Sequence, residues 1–143
     1  MTEVHAAEAE DVDAAVAAAT AAFKTWKKTS SAERSALMHR YADLVEKNAE
    51  DLARLETICM GMPRKMAVGI MGLHVDTFRY YAGLTDKIHG ESYPEDGDDG
   101  LIKMVNYQPM GVCAGISAWN GTPLSVGWKV RPPILVVYHD QSY

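Results

Sequence analysis

The sequence predicts a mainly α-helical fold that also carries one antiparallel β-hairpin. In the first half, apolar residues recur at helical spacing, and capping, glycine and proline signals divide them into four helices. In the second half, two short runs, residues 101–107 and 112–117, flank a proline and glycine turn. The length of 143 residues, with 48% apolar and 23% charged residues, is typical of a single globular domain.

Two helices are predicted at the start of the chain. An apolar stripe at steps of three and four predicts an alanine-rich helix over residues 11–27, which needs a neighbour to cover it. Its members are Val12, Val16, Ala19, Phe23 and Trp26. Ser30 and Glu33 have the spacing of a capping box, so a second helix is expected to start there and to run to Asn48. Its predicted stripe is Leu37, Tyr41, Leu44 and Val45.

Two further helices follow before a loop. Leu52, Leu55 and Cys59 mark the third helix, which Gly61 and Pro63 are expected to end. The fourth, residues 64–81, has a broad apolar face and should be buried up to a stop at Gly83. That face contains Met66, Ile70, His74 and Phe78, with Val68, Met71 and Val75 beside them. Residues 89–100 have the composition of a loop.

The hairpin is expected over residues 101–117, with Cys113 buried in its second strand as a small apolar residue. Pro123 can occupy the first turn of a last helix that runs to about Val130, with Thr122 or Asn120 as its cap. Pro132 and Pro133 should then disrupt the helix. Since an isolated hairpin is marginally stable, it should lie on the helices or pair with strands from elsewhere.

Charge and composition exclude several classes of function. The net charge of −5 and the pI near 5.5 give no basic surface for nucleic acid or an anionic membrane, so neither is expected as a partner. The acidic N-terminus lacks a secretory pattern, and no apolar stretch approaches the roughly 20 residues of a membrane helix, so a cytoplasmic location is expected. Cys59 and Cys113 are far apart and the five histidines are scattered, so no metal site and no disulfide framework are predicted.

Asn120 is the residue with the clearest chemical potential. It follows an apolar run and precedes a predicted helix N-terminus, where its side-chain NH₂ could donate to a developing oxyanion. Capping of that helix is the alternative role, and the local sequence leaves both open.

Three colinear segments resemble the NAD(P)-dependent aldehyde dehydrogenase family. The first is similar to the family pattern L-E-T-x-x-x-G-x-P, the second to Y-Y-A-G-x-x-D-K-I-x-G, and the third to P-x-G-V-x-x-x-I-x-P-W-N followed by W-K-x-x-P. They begin at Leu55, Tyr80 and Pro109 in this sequence. The resemblance covers residues 11–135, nearly the whole chain.

The resemblance implies a fold and a site. It implies an incomplete α/β, Rossmann-like cofactor domain over residues 1–143, with residues 101–117 as an oligomerisation-type hairpin and residues 136–143 as an unmatched tail. The residues implied to line the cofactor cleft through their backbone are Ile116, Ser117, Ala118 and Trp119. Asn120 is implied to donate its side-chain amide to the oxyanion of the thiohemiacetal. The family oxidises aldehydes to carboxylic acids with NAD or NADP.

The departures from the family pattern limit this expectation. Ala118 replaces the proline of P-W-N, and neither Cys59 nor Cys113 aligns with the family's nucleophile; its glutamate base is also missing. We therefore expect a truncated, inactive aldehyde dehydrogenase-like chain that binds no dinucleotide alone. The alternatives are an interaction module whose hairpin pairs with a full-length dehydrogenase or with itself, and an autonomous helical domain with an unrelated ligand pocket.

Overall fold

The computed structural model describes residues 6–94, 100–135 and 138–139. Within them, five helices and four short strands follow one another along the chain. The helices are α1 (Ala9–Trp26), α2 (Ser31–Lys47), α3 (Ala49–Met60), α4 (Arg64–Ala82) and α5 (Thr122–Leu135). The strands are β1 (Glu91–Tyr93), β2 (Lys103–Val105), β3 (Gln108–Pro109) and β4 (Tyr138–His139). The predicted mainly helical fold with an antiparallel strand pair is confirmed.

Local capping chemistry sets the helix ends. The Ser30 hydroxyl accepts a hydrogen bond from the Glu33 backbone amide at 3.2 Å, which satisfies one free donor at the start of α2. Asn48 separates α2 from α3, as predicted. Gly61 ends α3 with a φ of 77°, a left-handed conformation that costs glycine little because it has no Cβ. Gly83 follows α4 as predicted.

The core lies where α4 packs against α2 and α3. Six buried residues form the cluster between α2 and α4: Met38, Ala42, Val45, Val75, Phe78 and Ala82. Four form a second cluster around α3 and α4: Ala53, Met62, Ala67 and Met71. The prediction that α4 is buried along one face is confirmed, although Met66 at its start is exposed.

The predicted apolar stripe of α2 is wrong for Leu37 and Leu44, which are exposed. Val45 is buried as predicted, and Met38 and Ala42, one position along, complete the buried contact with α4. Tyr41 lies at the edge of this contact: it is 38% exposed, and its ring packs on the Phe78 ring of α4 with centroids 4.4 Å apart. Both sets have helical spacing. The side chain of Ala42 is small, so the buried set lets the two helix backbones approach closely.

The strands pair differently from the predicted hairpin over residues 101–117. β2 lies within the first predicted strand, but its antiparallel partner is β1, in the segment predicted as a loop, with Glu91 opposite Val105. Gly90 explains this partner, because a Cβ there would lie 2.0 Å from the Val105 carbonyl oxygen and only glycine allows such an approach. Residues 112–117 form no strand.

A second pair joins β3 to β4, with Gln108 opposite His139 and Pro109 opposite Tyr138. The remaining residues of the predicted tail 136–143 lie outside the described residues. α5 also runs past its predicted end near Val130, through Pro132 and Pro133. Proline fixes φ near −65°, which a helix accepts, and the helix loses the proline amide donor. None of the described helices has the length and apolar character needed to cross a bilayer.

Candidate functional site

The predicted cofactor segment, Ile116 to Trp119, is an irregular stretch on the surface that leads into α5. Ile116 is 90% exposed and Trp119 is 73% exposed, and Ser117 and Ala118 between them are exposed as well. All four residues are thus open to solvent, although the Trp119 carbonyl already accepts a hydrogen bond from the Thr122 hydroxyl. Their role in cofactor binding stays a prediction.

Asn120 lies in the turn between this segment and α5. Gly121, which follows it, has a φ of 64°, so the turn uses the left-handed conformation that glycine adopts most readily. The Gly121 carbonyl accepts from the Ser125 amide at 3.1 Å and starts the helical hydrogen bonds. Asn120 is exposed and stands outside the helix.

The two predicted helix caps are wrong. Gly121 stands directly before α5, which starts at Thr122, so neither Asn120 nor Thr122 has the capping position. The Thr122 hydroxyl instead donates to the Trp119 carbonyl at 2.8 Å, across the turn that contains Asn120. Because Gly121 takes the position before the helix, the capping alternative for Asn120 is removed and its side chain is left at the surface beside the helix N-terminus.

Glu56 of α3 lies beneath this turn. Its side-chain Oε1 accepts a hydrogen bond from the Gly121 backbone amide at 2.7 Å, and the Met60 Sδ lies 3.2 Å from the same amide nitrogen. Glu56 is only 6% exposed. A buried carboxylate needs strong partners, and an amide at a helix N-terminus, where the helix dipole is positive, is a favourable one.

Sequence reasoning missed the role of Glu56. The predicted stripe of α3 was Leu52, Leu55 and Cys59, whereas the buried residues of the helix are Ala53 and Glu56. The available signal was a glutamate three positions after Ala53 and four before Met60, on the same helical stripe as two apolar residues. A charged side chain on an apolar stripe indicates a buried partner.

α5 is held against α4 at a close contact. A Cβ at Gly127 would lie 2.5 Å from His74 Nδ1, and Gly127 is buried. His74 itself is a core residue of α4, and its Nε2 lies 3.1 Å from the Tyr41 hydroxyl of α2. Burial raises the pKa of Tyr41. His74 lies on the apolar face predicted for α4, and the structure buries it there.

A cleft of about 340 Å³ separates α1 from the segment before Asn120. Its α1 wall is mostly apolar and includes Ala22, Phe23 and Trp26, and its other wall includes Cys113, Ser117 and the helix residue Lys129. The prediction that Cys113 is buried is wrong. The residue is exposed because residues 112–117 are not covered as a strand of a sheet.

The described residues leave Ile116–Trp119 exposed on one side and do not enclose a ligand there. Both cysteines are free and exposed, and over the described ranges no three side chains of the His, Cys, Asp and Glu types are grouped so that they could hold a metal ion.

Comparison with known proteins identifies the fold. The family model described as "Aldehyde dehydrogenase family" matches residues 1–137. Retinal dehydrogenase 2 of Homo sapiens is 40% identical over 137 residues, which are 92% of this chain and 26% of that protein. An aldehyde dehydrogenase of Emericella nidulans is 38% identical over 135 residues, or 94% of this chain and 27% of the relative.

Solved structures agree with the sequence relatives. PnpE from Pseudomonas sp. WBC-3 superposes with a TM-score of 0.88 at 39% identity, over 95% of this chain and 28% of that protein. A structure of PnpE in complex with nicotinamide adenine dinucleotide gives the same values. The chain thus spans about a quarter of the length of the relatives that it matches. The predicted resemblance and the partial cofactor-domain fold are confirmed, and the chain belongs to the aldehyde dehydrogenase family.

Proposed function

We propose that this chain supplies the cofactor edge and the oxyanion donor of an enzyme that oxidises aldehydes to carboxylic acids with NAD or NADP. The observation that carries the proposal is the placement of Asn120, exposed at the N-terminus of α5 in a turn fixed from both sides. Family membership supports it, as does the nicotinamide adenine dinucleotide complex of PnpE. The substrate would be a small aldehyde.

The chemistry follows from the position of Asn120. When a nucleophile adds to an aldehyde, the carbonyl oxygen becomes negatively charged, and a donor already in place stabilises that charge without reorganising. The Asn120 NH₂ is such a donor, and the positive end of the α5 dipole adds to it. The backbone of Ile116, Ser117, Ala118 and Trp119 would hold the cofactor, which when bound supplies the hydride acceptor.

We further propose that residues 1–143 do not oxidise aldehydes and bind no dinucleotide by themselves. Cys59 lies near the end of α3, and Cys113 lines the cleft beside α1. By the family resemblance, neither cysteine aligns with the nucleophile of the family. Without a thiolate, no covalent adduct forms, and Asn120 has no oxyanion to stabilise. That neither nucleic acid nor a membrane is a partner follows from the acidic composition and stays a prediction, as does the cytoplasmic location.

A chimaera tests the role of Asn120. In it, residues 1–135 of this chain replace the matched segment of the Emericella nidulans aldehyde dehydrogenase, so that the relative supplies the rest of the enzyme. We expect NAD(P)-dependent aldehyde oxidation, followed by the absorbance of the reduced nicotinamide. Asn120→Ala should lower kcat by about 10²–10³-fold, the effect of removing one oxyanion donor.

Asn106→Ala is the matched control, because Asn106 is also exposed but lies between β2 and β3. An Asn120→Ala chimaera as fast as the control would refute the donor role. Reduction of NAD or NADP by the isolated 143-residue chain, with any aldehyde of a broad panel, would refute the proposed inactivity.

A second candidate function is an interaction module. The β1–β2 pair presents the exposed apolar side chains of Tyr93 and Met104, and Ile102, directly before β2, is 81% exposed. Over the described ranges this sheet has two strands, so an outer edge can accept a strand from a full-length dehydrogenase or from a second copy. Light scattering tests self-association, and a molecular mass that stays that of a monomer at all concentrations would exclude it. If the chain does not bind a full-length dehydrogenase, that enzyme is excluded as the partner.

A further inference from the structure

Glu56 holds the peptide group that directly follows Asn120. The amide nitrogen of Gly121, which donates to Glu56 Oε1 at 2.7 Å, belongs to the planar unit that also contains the Asn120 carbonyl. Fixing that plane restricts ψ of Asn120. The bond is made by a buried side chain from α3, 65 residues away along the chain, and so it ties the turn to the helical core.

The peptide group that precedes Asn120 is held as well. Its carbonyl, that of Trp119, accepts from the Thr122 hydroxyl at 2.8 Å, which restricts φ of Asn120. With both flanking planes held, the direction of the Asn120 Cα–Cβ bond is fixed, and only the side-chain torsions remain free. The Thr122 bond is local to the turn, whereas the Glu56 bond connects the turn to another element.

Two neighbouring contacts keep the turn close to Glu56. Gly127 rests on the His74 ring, so α5 lies close against α4, and a side chain at residue 127 would push α5 away. Met60, one turn after Glu56 on α3, contacts the same Gly121 amide through its sulfur. The turn therefore cannot move away from Glu56 without disturbing the packing of α5 on α4.

We propose that Glu56 is a positioning residue, which aims the Asn120 amide at the substrate oxygen by holding the Gly121 peptide. This rests on the donor role proposed for Asn120 above. Glu56 is buried whereas Asn120 is exposed, so Glu56 would act on the substrate only through the turn and not by touching it. A carboxylate suits the task because its oxygen accepts strongly from an amide at the positive end of a helix.

NMR on the full 143-residue chain tests the proposal. In the unmodified chain, the Gly121 amide proton should exchange with solvent at least roughly tenfold more slowly than in an unstructured peptide, because it is hydrogen-bonded. Glu56→Met keeps the size of the side chain but removes the acceptor. It should accelerate exchange at Gly121 by about 10–100-fold and lower the backbone heteronuclear NOE of Asn120.

Two further variants make the result specific. Glu56→Gln retains an acceptor oxygen and should keep the exchange rate within about tenfold of the unmodified chain. Glu50→Gln removes an exposed carboxylate from the same helix and should change nothing at Gly121. If Glu56→Met does not fold, the unmodified chain and Glu56→Gln decide the question.

Several results would overturn the proposal. The first is exchange of the Gly121 amide proton at the rate of an unstructured peptide while the amides of α4 are protected. The second is an unchanged Gly121 exchange rate in Glu56→Met. The third is an equal acceleration of that rate in Glu56→Gln and Glu56→Met. Uniform acceleration over α4 and α5 would also overturn it, because Glu56 would then act on overall stability alone.

The chimaera separates this proposal from the role of Asn120. Glu56→Met should lower kcat there by roughly tenfold or more while the KM for the cofactor is retained, and Glu56→Gln should restore most of the rate. If Asn120→Ala is impaired but Glu56→Met is not, the positioning role fails and the donor role stands. If Asn120→Ala leaves kcat of the chimaera unchanged, the donor role of Asn120 fails. The proposed positioning of that donor by Glu56 then fails as well, even if NMR shows that Glu56 holds the turn.

Discussion

Gly127 and His74 meet so closely that a single added carbon would overlap the imidazole ring: a Cβ at residue 127 would lie 2.5 Å from Nδ1 and 2.7 Å from Cε1. His74 is fully buried and in contact with the Phe78 and Tyr41 rings, so it has little room to move aside. The close packing of α5 against α4 therefore depends on the absence of a side chain at residue 127.

Gly127→Ala should consequently destabilise the chain. Overpacking of a buried contact costs about 1–3 kcal/mol, more than the roughly 0.5–1 kcal/mol that alanine gains over glycine within a helix. Urea unfolding followed by circular dichroism measures the difference. The matched control is Gly72→Ala in α4, where a Cβ would meet nothing within 4 Å and where we expect a small stabilisation. Equal stability of the two variants would contradict the close contact.

Ser30→Ala should weaken the start of α2. It removes the hydroxyl that accepts from the Glu33 amide, and loss of such a cap costs about 1 kcal/mol. Ser31→Ala, within the first turn of the same helix, is the control and should change the free energy of unfolding by less than half as much. If both variants unfold at the same urea concentration, the cap contributes nothing.

Gly61→Ala should also be destabilising, through the backbone. The φ of 77° places residue 61 in the left-handed region, where a Cβ costs roughly 1–2 kcal/mol. No atom lies within 4 Å of the added carbon, so the cost comes from the conformation alone. Gly83→Ala is the comparison, because Gly83 ends α4 with a φ of −72° and should tolerate the change better. Thermal unfolding that shifts equally in both variants would be the contrary result.

Tyr41 should make stability fall at high pH. Its pKa is raised above the usual 10.0 because burial disfavours the phenolate, so above that pH the unfolded chain loses its proton more readily than the folded chain does. The contribution is fully present below about pH 10 and is lost as the pH rises through the folded-state pKa. Unfolding in urea across this range should show a steeper decline for the unmodified chain than for Tyr41→Phe. Parallel declines would exclude Tyr41 as the cause.

Helix positions could be predicted from the sequence because their signals are local. Ser30, Gly61 and Gly83 each act within one turn of the chain, and the structure places helix ends at all three. Hairpin pairing could not be predicted in the same way. It depends on the contact of Gly90 with the backbone at Val105, which joins distant parts of the chain.

The place of the candidate donor could be predicted for the same reason. The local sequence puts Asn120 just before a helix, and the structure locates it in the turn before α5; its role comes from the family resemblance and stays a proposal. Glu56 was missed because its partner, Gly121, is distant in sequence, and no pattern on α3 alone reveals which group will approach it. The apolar stripe of α2 was predicted one position away from most of its buried residues, because the spacing of apolar residues alone does not show which of two helix faces packs against α4.

The first helix stands apart from the rest in one respect: α1 buries none of its residues, whereas α2, α3 and α4 share their core. Opening of a segment costs only the contacts that it loses, and in α1 the large apolar residues with contacts to lose are the half-buried Phe23 and Trp26. Unravelling of this helix can therefore precede global unfolding. Because α2 to α5 pack on one another, we expect them to unfold together, and we expect a protease to remove the N-terminal helix while the turn at Asn120 remains intact.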